Sequence, residues 1–515
     1  MRLSALRHLR VVVSGSLFAF CVLSSLTAQS VDMEARRAAY DGPKPKYVMF
    51  FIGDGFGMAH SFAAEAYLAA AEGRIGAEQL SLNHLPVFGQ ISTYAENRLI
   101  TDSAAAGTAL ATGCKTTVGT ISMDGKREKA LYTVAEAARD RGMRVGIVTS
   151  VSIDHATPSV FYSHKADRNL YYSIALDLAR SGFDYFGGGG FLKPEGDGQI
   201  GADNMKQNVG LGGIVQAHDS ENCVDFARRM GYTYVNDKQA FFALKSGAEK
   251  IIAVTDRLAG GQSITYAIDR AEGELALVDF TRKGIELLAG EEGFFMMVEG
   301  GKIDWCSHAN DAATTVHEVL DFDRAVQAAL AFYLQHPEET LIVVTADHET
   351  GGMGIGYAGS HYDGNIYALS HQKMSYEAFS GLVAEYRDAH PDGGSEEEGL
   401  ALVKENFGLG DSALLLGLNP LEEKELRQAF RDSMSNGEGR DPIAKLEYYL
   451  RYGGYDPLTV TATRILAGKA GIGWTTFSHT ASPVPVRAIG PGSELFSGAM
   501  DNTDMARNIF TLLAE

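Results

Sequence analysis

Several short stretches place residues of metal-ligand type at spacings that could do chemistry. In EGGKIDWCSH (299–308), Asp304 and His308 stand four residues apart. A helix would carry both on one face, and a carboxylate beside an imidazole makes a ready pair of zinc ligands. Taken alone, such a pair is more often a surface contact than a metal site. In TADHETGG (345–352), Asp347 and His348 directly follow an apolar run. A helix N-cap would account for the aspartate but not for its neighbouring imidazole. TDSAAAGTA (101–109) sets Ser103 at the head of a run of small residues. If that run is a helix, its outward N–H groups and positive dipole end suit an anion. Ser103 is then either an N-cap or a nucleophile. No base of the Ser-His-Asp type adjoins it, so activation would fall to a metal that lowers its pKa. His479, in SHT (478–480), gains weight only from this company.

The elements that must position these residues are legible as apolar runs. Lys46 to Ile52, Val145 to Ser150, Phe294 to Val298 and Leu341 to Thr345 are short and apolar without alternation, as strands covered on both faces are. Helical patterns lie between them, at Ala104 to Thr112 and at Tyr132 to Arg141. Alternation of strand and helix predicts a doubly wound α/β fold, a mainly parallel central sheet with helices on both faces. Such sheets bind ligands beyond the carboxyl ends of their strands. The four runs end at Asp54, at Ser150 leading to His155, at Glu299, and at Asp347-His348. One rim of one sheet should therefore gather them.

Two regions read as additions to this framework. Gly190 to Ser263 is rich in glycine and polar residues and has little periodicity. Residues 375–468 read as a mostly helical insertion, with charge runs at Glu396 to Glu398 and Glu422 to Glu425 taken as solvated helix surface. Residues 1–28 have the layout of a secretory signal: Arg2, Arg7 and Arg10, an apolar run from Val11 to Leu26, and a small-residue exit at Thr27-Ala28. The run is shorter than the ~20 residues of a spanning helix, so the mature chain, 29–515, is expected to lack a transmembrane segment. Acids outnumber bases 65 to 45, a formal charge of −20. That field disfavours nucleic acid, and phosphate too unless bound cations reverse the local sign. Beyond Cys21 in the leader, Cys114, Cys223 and Cys306 remain, an odd number with pairing left open. Cys114 reads as a buried helix residue, and Cys306 as packing rather than a metal thiolate.

Taken together, GDG (53–55), TDSAAAGTA (101–109), HATP (155–158), VEGGKIDWCSH (298–308), TADHETGG (345–352) and SHT (478–480) occur in the order of the alkaline phosphatase family, which the chain resembles. The resemblance implies an exported, periplasmic or extracellular, metal-dependent phosphomonoester hydrolase of broad substrate range. It further implies a homodimer with two Zn2+ and one Mg2+ per active site. It makes Ser103 the nucleophile, forming a phosphoseryl intermediate. Asp304, His308 and His479 would hold one zinc; Asp54, Asp347 and His348 the other. Asp54, Thr157 and Glu299 would hold the magnesium, and Arg168 would grip two phosphoryl oxygens. Two cations ~4 Å apart can clamp the attacking and leaving oxygens of an in-line transfer.

Two positions take particular options. His155 stands where some members have Asp and is expected to act through water. Trp305 stands where others have Lys or His near the phosphate, so phosphate is expected to be held less tightly. The rival readings are weaker. A sulfatase needs a C-x-P-x-R setting that none of the cysteines has. A phosphodiesterase shares the zinc sites, but Ser103, Thr157, Glu299 and Arg168 favour a monoesterase. A binding protein with a dead site conflicts with the complete motif set.

Overall fold

The computed structural model describes residues 33–196, 221–247, 250–435 and 442–514. The leader read at 1–28 lies outside these residues. Fourteen strands are present among the described residues. In chain order they are β1 (Tyr47–Gly53), β2 (Val87–Ser92), β3 (Arg144–Thr149), β4 (Tyr185–Gly188), β5 (Tyr232–Val235), β6 (Lys250–Val254) and β7 (Phe294–Gly300). They continue with β8 (Thr340–Ala346), β9 (Glu349–Thr350), β10 (Gly354–Ile355), β11 (Ile472–Gly473), β12 (His479–Thr480), β13 (Val484–Ile489) and β14 (Gly498–Asp501).

Ten of these form one sheet in the order β14-β2-β13-β8-β1-β7-β3-β4-β6-β5. All pairings are parallel except those of β13 with β2 and β8. Every residue of β1, β7 and β8 is buried, which is why these strands read as unbroken apolar runs. Helices cover both faces, and the core runs continuously from β1 to the last helix, Asn502–Leu513.

The adjacent strands β8, β1, β7 and β3 are in register at their carboxyl ends. Ile52 pairs with Glu299 and Thr345, and Thr149 pairs with Glu299. The four exits therefore form one row, as the sequence predicts.

Two expectations change. Gly190 to Ser263 is not merely an addition, because β5 and β6 extend the sheet at one edge. Cys114 is exposed rather than buried. Gly113, at φ 73°, ends the Ser103–Thr112 helix, so Cys114 lies past its last turn. Cys114, Cys223 and Cys306 are all free thiols.

Between β10 and β11 the chain passes through helices Tyr376–Ala389, Glu396–Phe407, Pro420–Met434, Pro442–Tyr452 and Pro457–Ala470. Phe379, Phe407, Leu426 and Phe430 bury their side chains here. The charge runs do lie on the surface, where Glu396 and Glu397 pair with Arg427. Exposed pairs of this kind contribute little stability. Among the described residues no helix is long and apolar enough to cross a membrane.

Candidate active site

Asp102 caps the Ser103–Thr112 helix by accepting the Ala105 N–H on Oδ1 at 3.0 Å. Ser103 is thus the first helical residue rather than the cap, and it is 3% exposed. The other carboxylate oxygen of Asp102 accepts from the Gly119 N–H at 2.9 Å and from Arg168 Nη1 at 3.1 Å. One side chain therefore holds both the helix start and the guanidinium. The small residues of this helix let it pack closely against Ala156–Ser159: a Cβ on Gly107 would lie 3.1 Å from Val160 Cγ2 and 3.8 Å from Thr157 Cα. Ser103 Oγ lies 3.2 Å from His348 Nε2.

The sequence-predicted ligands converge on three adjacent points. At the first, His308 Nε2 lies 3.3 Å and His479 Nε2 3.6 Å from Asp304 Oδ1. Asp304 and His308 share one helical face, on Lys302–His308. His308 Nδ1 donates to the Phe477 carbonyl at 2.7 Å, and His479 Nδ1 to the Thr101 carbonyl at 2.8 Å. The two Nε2 atoms face each other at 3.1 Å, a contact that needs either a shared proton, as on a charged His308, or a metal ion between them.

At the second point, His348 Nε2 lies 3.4 Å from Asp54 Oδ1 and 3.2 Å from Asp347 Oδ2. Asp347 is not a helix cap. β9 follows it, and its Oδ1 accepts the N–H groups of Gly55 at 3.2 Å and His348 at 2.9 Å. At the third point, Thr157 Oγ1 donates to Asp54 Oδ2 at 3.2 Å, and Glu299 accepts from the Thr149 hydroxyl. His155 offers a ring nitrogen within 4.8 Å of Asp54 and Glu299 oxygens, a separation that admits a shared ion directly or through one water. Trp305 meets the His155 ring edge-on at 5.7 Å between centroids. Its ring also lies so close to Gly261 that a Cβ there would be 2.7 Å from Cη2.

The charges do not balance within the protein. Asp54, Glu299 and Asp347 are completely buried and Asp304 is 5% exposed. Burial, then repulsion from Asp347 and Asp304, pushes the Asp54 carboxyl well above its usual range. Burial and Asp304 do the same to Asp347, and burial lifts Glu299 to about 7. Burial would lower His308, but Asp304 outweighs it and lifts the imidazole to about 9. Asp54 Oδ1, Glu299 Oε1 and Asp347 Oδ2 are buried with no hydrogen-bond partner among the described residues. Buried anions of this number are stable only when paired or when they coordinate metal. The donor sets fit that use: two imidazoles with a carboxylate, one imidazole with two carboxylates, and an oxygen-rich third set.

Three residues support the site through contacts that the sequence did not give, although Asp102 with Ser103 was legible as a capping pair before the helix. Asp102 and Thr149 each hold a functional side chain in place. Thr350 is the third: its Oγ1 donates to Asp304 Oδ1 at 2.5 Å and lies 3.3 Å from His348 Nδ1. Asp102 and Thr350 fall inside the motifs and Thr149 inside the apolar run that ends at Ser150, but their roles depend on chain crossings that no local spacing records. Cys306 turns away from the ligands, toward the Lys302 and Ile303 carbonyls.

Known proteins resemble this chain along most of its length. The alkaline phosphatase family model matches residues 45–514. Alkaline phosphatase 3 of Bacillus subtilis (strain 168) is 31% identical over 497 residues, covering 95% of this chain and 94% of its own. Streptomycin-6-phosphate phosphatase of Streptomyces griseus is 32% identical over 375 residues, covering 65% of this chain and 80% of its own. The crystal structure of the cold-active alkaline phosphatase from the psychrophile Shewanella sp. superposes with a TM-score of 0.71 at 27% identity, covering 91% of this chain and all of that one (100%). Matched by the family model over residues 45–514 and by relatives along nearly its whole length, this chain belongs to the alkaline phosphatase family and is a phosphoric monoester hydrolase.

Proposed function

We propose that the protein is an exported alkaline phosphatase that hydrolyses a broad range of phosphomonoesters through a phosphoseryl intermediate on Ser103. The observation that carries this reading is the excess of buried carboxylate around one hydroxyl. Asp304, His308 and His479 would hold one Zn2+; Asp54, Asp347 and His348 the second; Asp54, Thr157 and Glu299 a Mg2+. When bound, these ions would lower the pKa of the Ser103 hydroxyl, stabilise charge on the leaving oxygen and attract a dianionic substrate to an acidic protein.

The chain's own residues do the rest. Arg168, held by Asp102, presents its planar fork to two phosphoryl oxygens. Ser103 Oγ attacks phosphorus as the ester oxygen departs opposite, and the helix N-terminus behind it favours the incoming anion. Water then attacks the phosphoserine along the same line, returning Ser103 and releasing inorganic phosphate. His155 acts on the third site through water, and Trp305 walls the phosphate position without supplying a charge. A shallow site that grips only the phosphoryl group fits a broad monoester range. We further propose a homodimer in the periplasm or outside the cell, supported by the family resemblance and by the layout of residues 1–28.

The test is metal analysis paired with phosphatase assay, before and after chelation, on wild type and Ser103→Ala. The reading expects zinc and magnesium in the active sample, loss of turnover on chelation with recovery on re-addition, and an inactive Ser103→Ala that still binds metal. Undiminished turnover by demetallated protein or by Ser103→Ala would overturn it. Comparing p-nitrophenyl phosphate with its bis ester separates monoesterase from diesterase.

A further inference from the structure

The hydroxyl of Thr350 sits between ligands of two different proposed ions. Its Oγ1 lies 2.5 Å from Asp304 Oδ1 and 3.3 Å from His348 Nδ1. Thr350 is completely buried. Its backbone is equally committed: its N–H donates to the Gly55 carbonyl at 3.1 Å, next to Asp54, and it pairs across β9 and β12 with His479. A residue so placed touches ligands, or neighbours of ligands, of both histidine-bearing sites.

Proton counting decides what the hydroxyl does. A threonine hydroxyl has one proton to give and lone pairs to accept with. A carboxylate can only accept, so the short contact to Asp304 uses that proton. Toward His348 the oxygen can then only accept, which requires the proton of that imidazole to be on Nδ1. Nε2 is left with its lone pair, pointing at Ser103 Oγ, Asp54 and Asp347. His308 and His479 reach the same tautomer by donating Nδ1–H to backbone carbonyls. His348 alone of the three uses a side chain, and that side chain is bonded to a ligand of the other site.

We infer that Thr350 is a positioning residue that fixes the Nδ1–H tautomer of His348 and links it to Asp304, so that one hydroxyl supports both zinc sites. This rests on the proposed two-zinc reading. Hydrogen-bond partners of metal ligands typically change affinity ~10–100-fold when removed. Here removal should weaken both ions, because the same oxygen serves an acceptor at one site and a donor at the other.

The test is zinc competition against a chromophoric chelator, on wild-type protein, Thr350→Val and Thr350→Ser. Valine keeps the branched shape and loses the hydroxyl; serine keeps the hydroxyl. We expect both tight zinc sites of Thr350→Val to weaken ~10–100-fold and Thr350→Ser to bind within a few-fold of wild type. Thr350→Ala, which adds no bulk, repeats the deletion should the valine variant fail to fold. Wild-type affinity at either site in the hydroxyl-less variants would overturn the inference, as would a serine variant as weak as valine. Failure of the wild-type protein itself to bind two zinc ions would instead remove the metal reading beneath it.

Discussion

Gly55 is the most informative position to perturb, because the two histidine-bearing sites meet at its missing side chain. It follows the strand exit at Asp54, has φ 75°, and a Cβ there would lie 2.8 Å from Asp304 Cα, 2.9 Å from Thr350 Oγ1 and 3.0 Å from Asp304 Cβ. Two costs add in Gly55→Ala. Left-handed backbone costs an L-residue about 1–2 kcal/mol, and forcing a methyl into packed surroundings costs about 1–3 kcal/mol. The nearest atom is backbone, so relief must come from moving the Lys302–His308 helix or Thr350. Gly73 is the matched control: its φ is 71° and nothing lies within 4 Å of its Cβ position. Gly73→Ala should cost only the backbone share, about 1–2 kcal/mol, and Gly55→Ala about 2–5 kcal/mol. Denaturant unfolding of the metal-free proteins gives the difference. Zinc competition should show Gly55→Ala weakened at both sites and Gly73→Ala unchanged. If Gly55→Ala is no less stable than Gly73→Ala and holds zinc like wild type, the close approach of Asp304 to this turn is wrong.

Other predictions address charge and substrate grip. Folded-state pKa values are raised at Asp54, Asp347, Glu299 (about 7) and His308 (about 9), so these four groups hold protons near neutral pH that the unfolded chain has given up, whereas Asp304, His155, His348 and His479 are shifted down and hold none extra there. The stability they supply is present at low pH and is lost as pH rises through those values. Metal binding must displace the same protons, so zinc affinity should climb with pH up to about 9. Titration calorimetry near neutral pH in buffers of different ionisation enthalpy should register net proton release on zinc binding; no buffer dependence would contradict this. Arg168→Lys replaces a fork by a point charge, so kcat/KM should fall ~10–100-fold for the loss of one charged hydrogen bond. Unchanged kinetics would remove Arg168 from the phosphate site. Trp305→Lys should bind product phosphate more tightly, read as a lower inhibition constant. Unchanged phosphate inhibition would show that Trp305 does not face that position.

What was legible in the sequence follows from how parallel sheets bury their strands. The runs that became β1, β3, β7 and β8 are covered on both faces, so they carried no polar alternation to confuse their reading, and their exits located Asp54, Glu299 and Asp347. The i,i+4 spacing of Asp304 and His308 survived because a helix does carry it. β5 escaped notice because it is half-exposed and four residues long, too short for its pattern to stand out among glycines. Asp347 resembled a cap because an N-cap and a metal ligand make the same demand for a carboxylate after a strand. Cys114 was misread although the helix end was not: the helix stops at Thr112, as its pattern does, and Gly113 turns the chain so that Cys114 lies outside it. The contacts of Thr350 and Thr149, and the hold of Asp102 on Arg168, were beyond sequence reasoning for a shared reason. Each acts on a residue brought in from a distant part of the chain, and proton direction appears only with distances.

The central claim is that Ser103 becomes covalently phosphorylated when divalent ions occupy the surrounding carboxylates and imidazoles. Its most direct test is to quench the metal-loaded enzyme with acid during turnover and locate the phosphoryl group by peptide mass spectrometry. The account predicts phosphate on Ser103, absent from chelated protein and restored when zinc and magnesium are returned. Phosphate on another residue, or rapid turnover with Ser103 replaced by alanine, would contradict it.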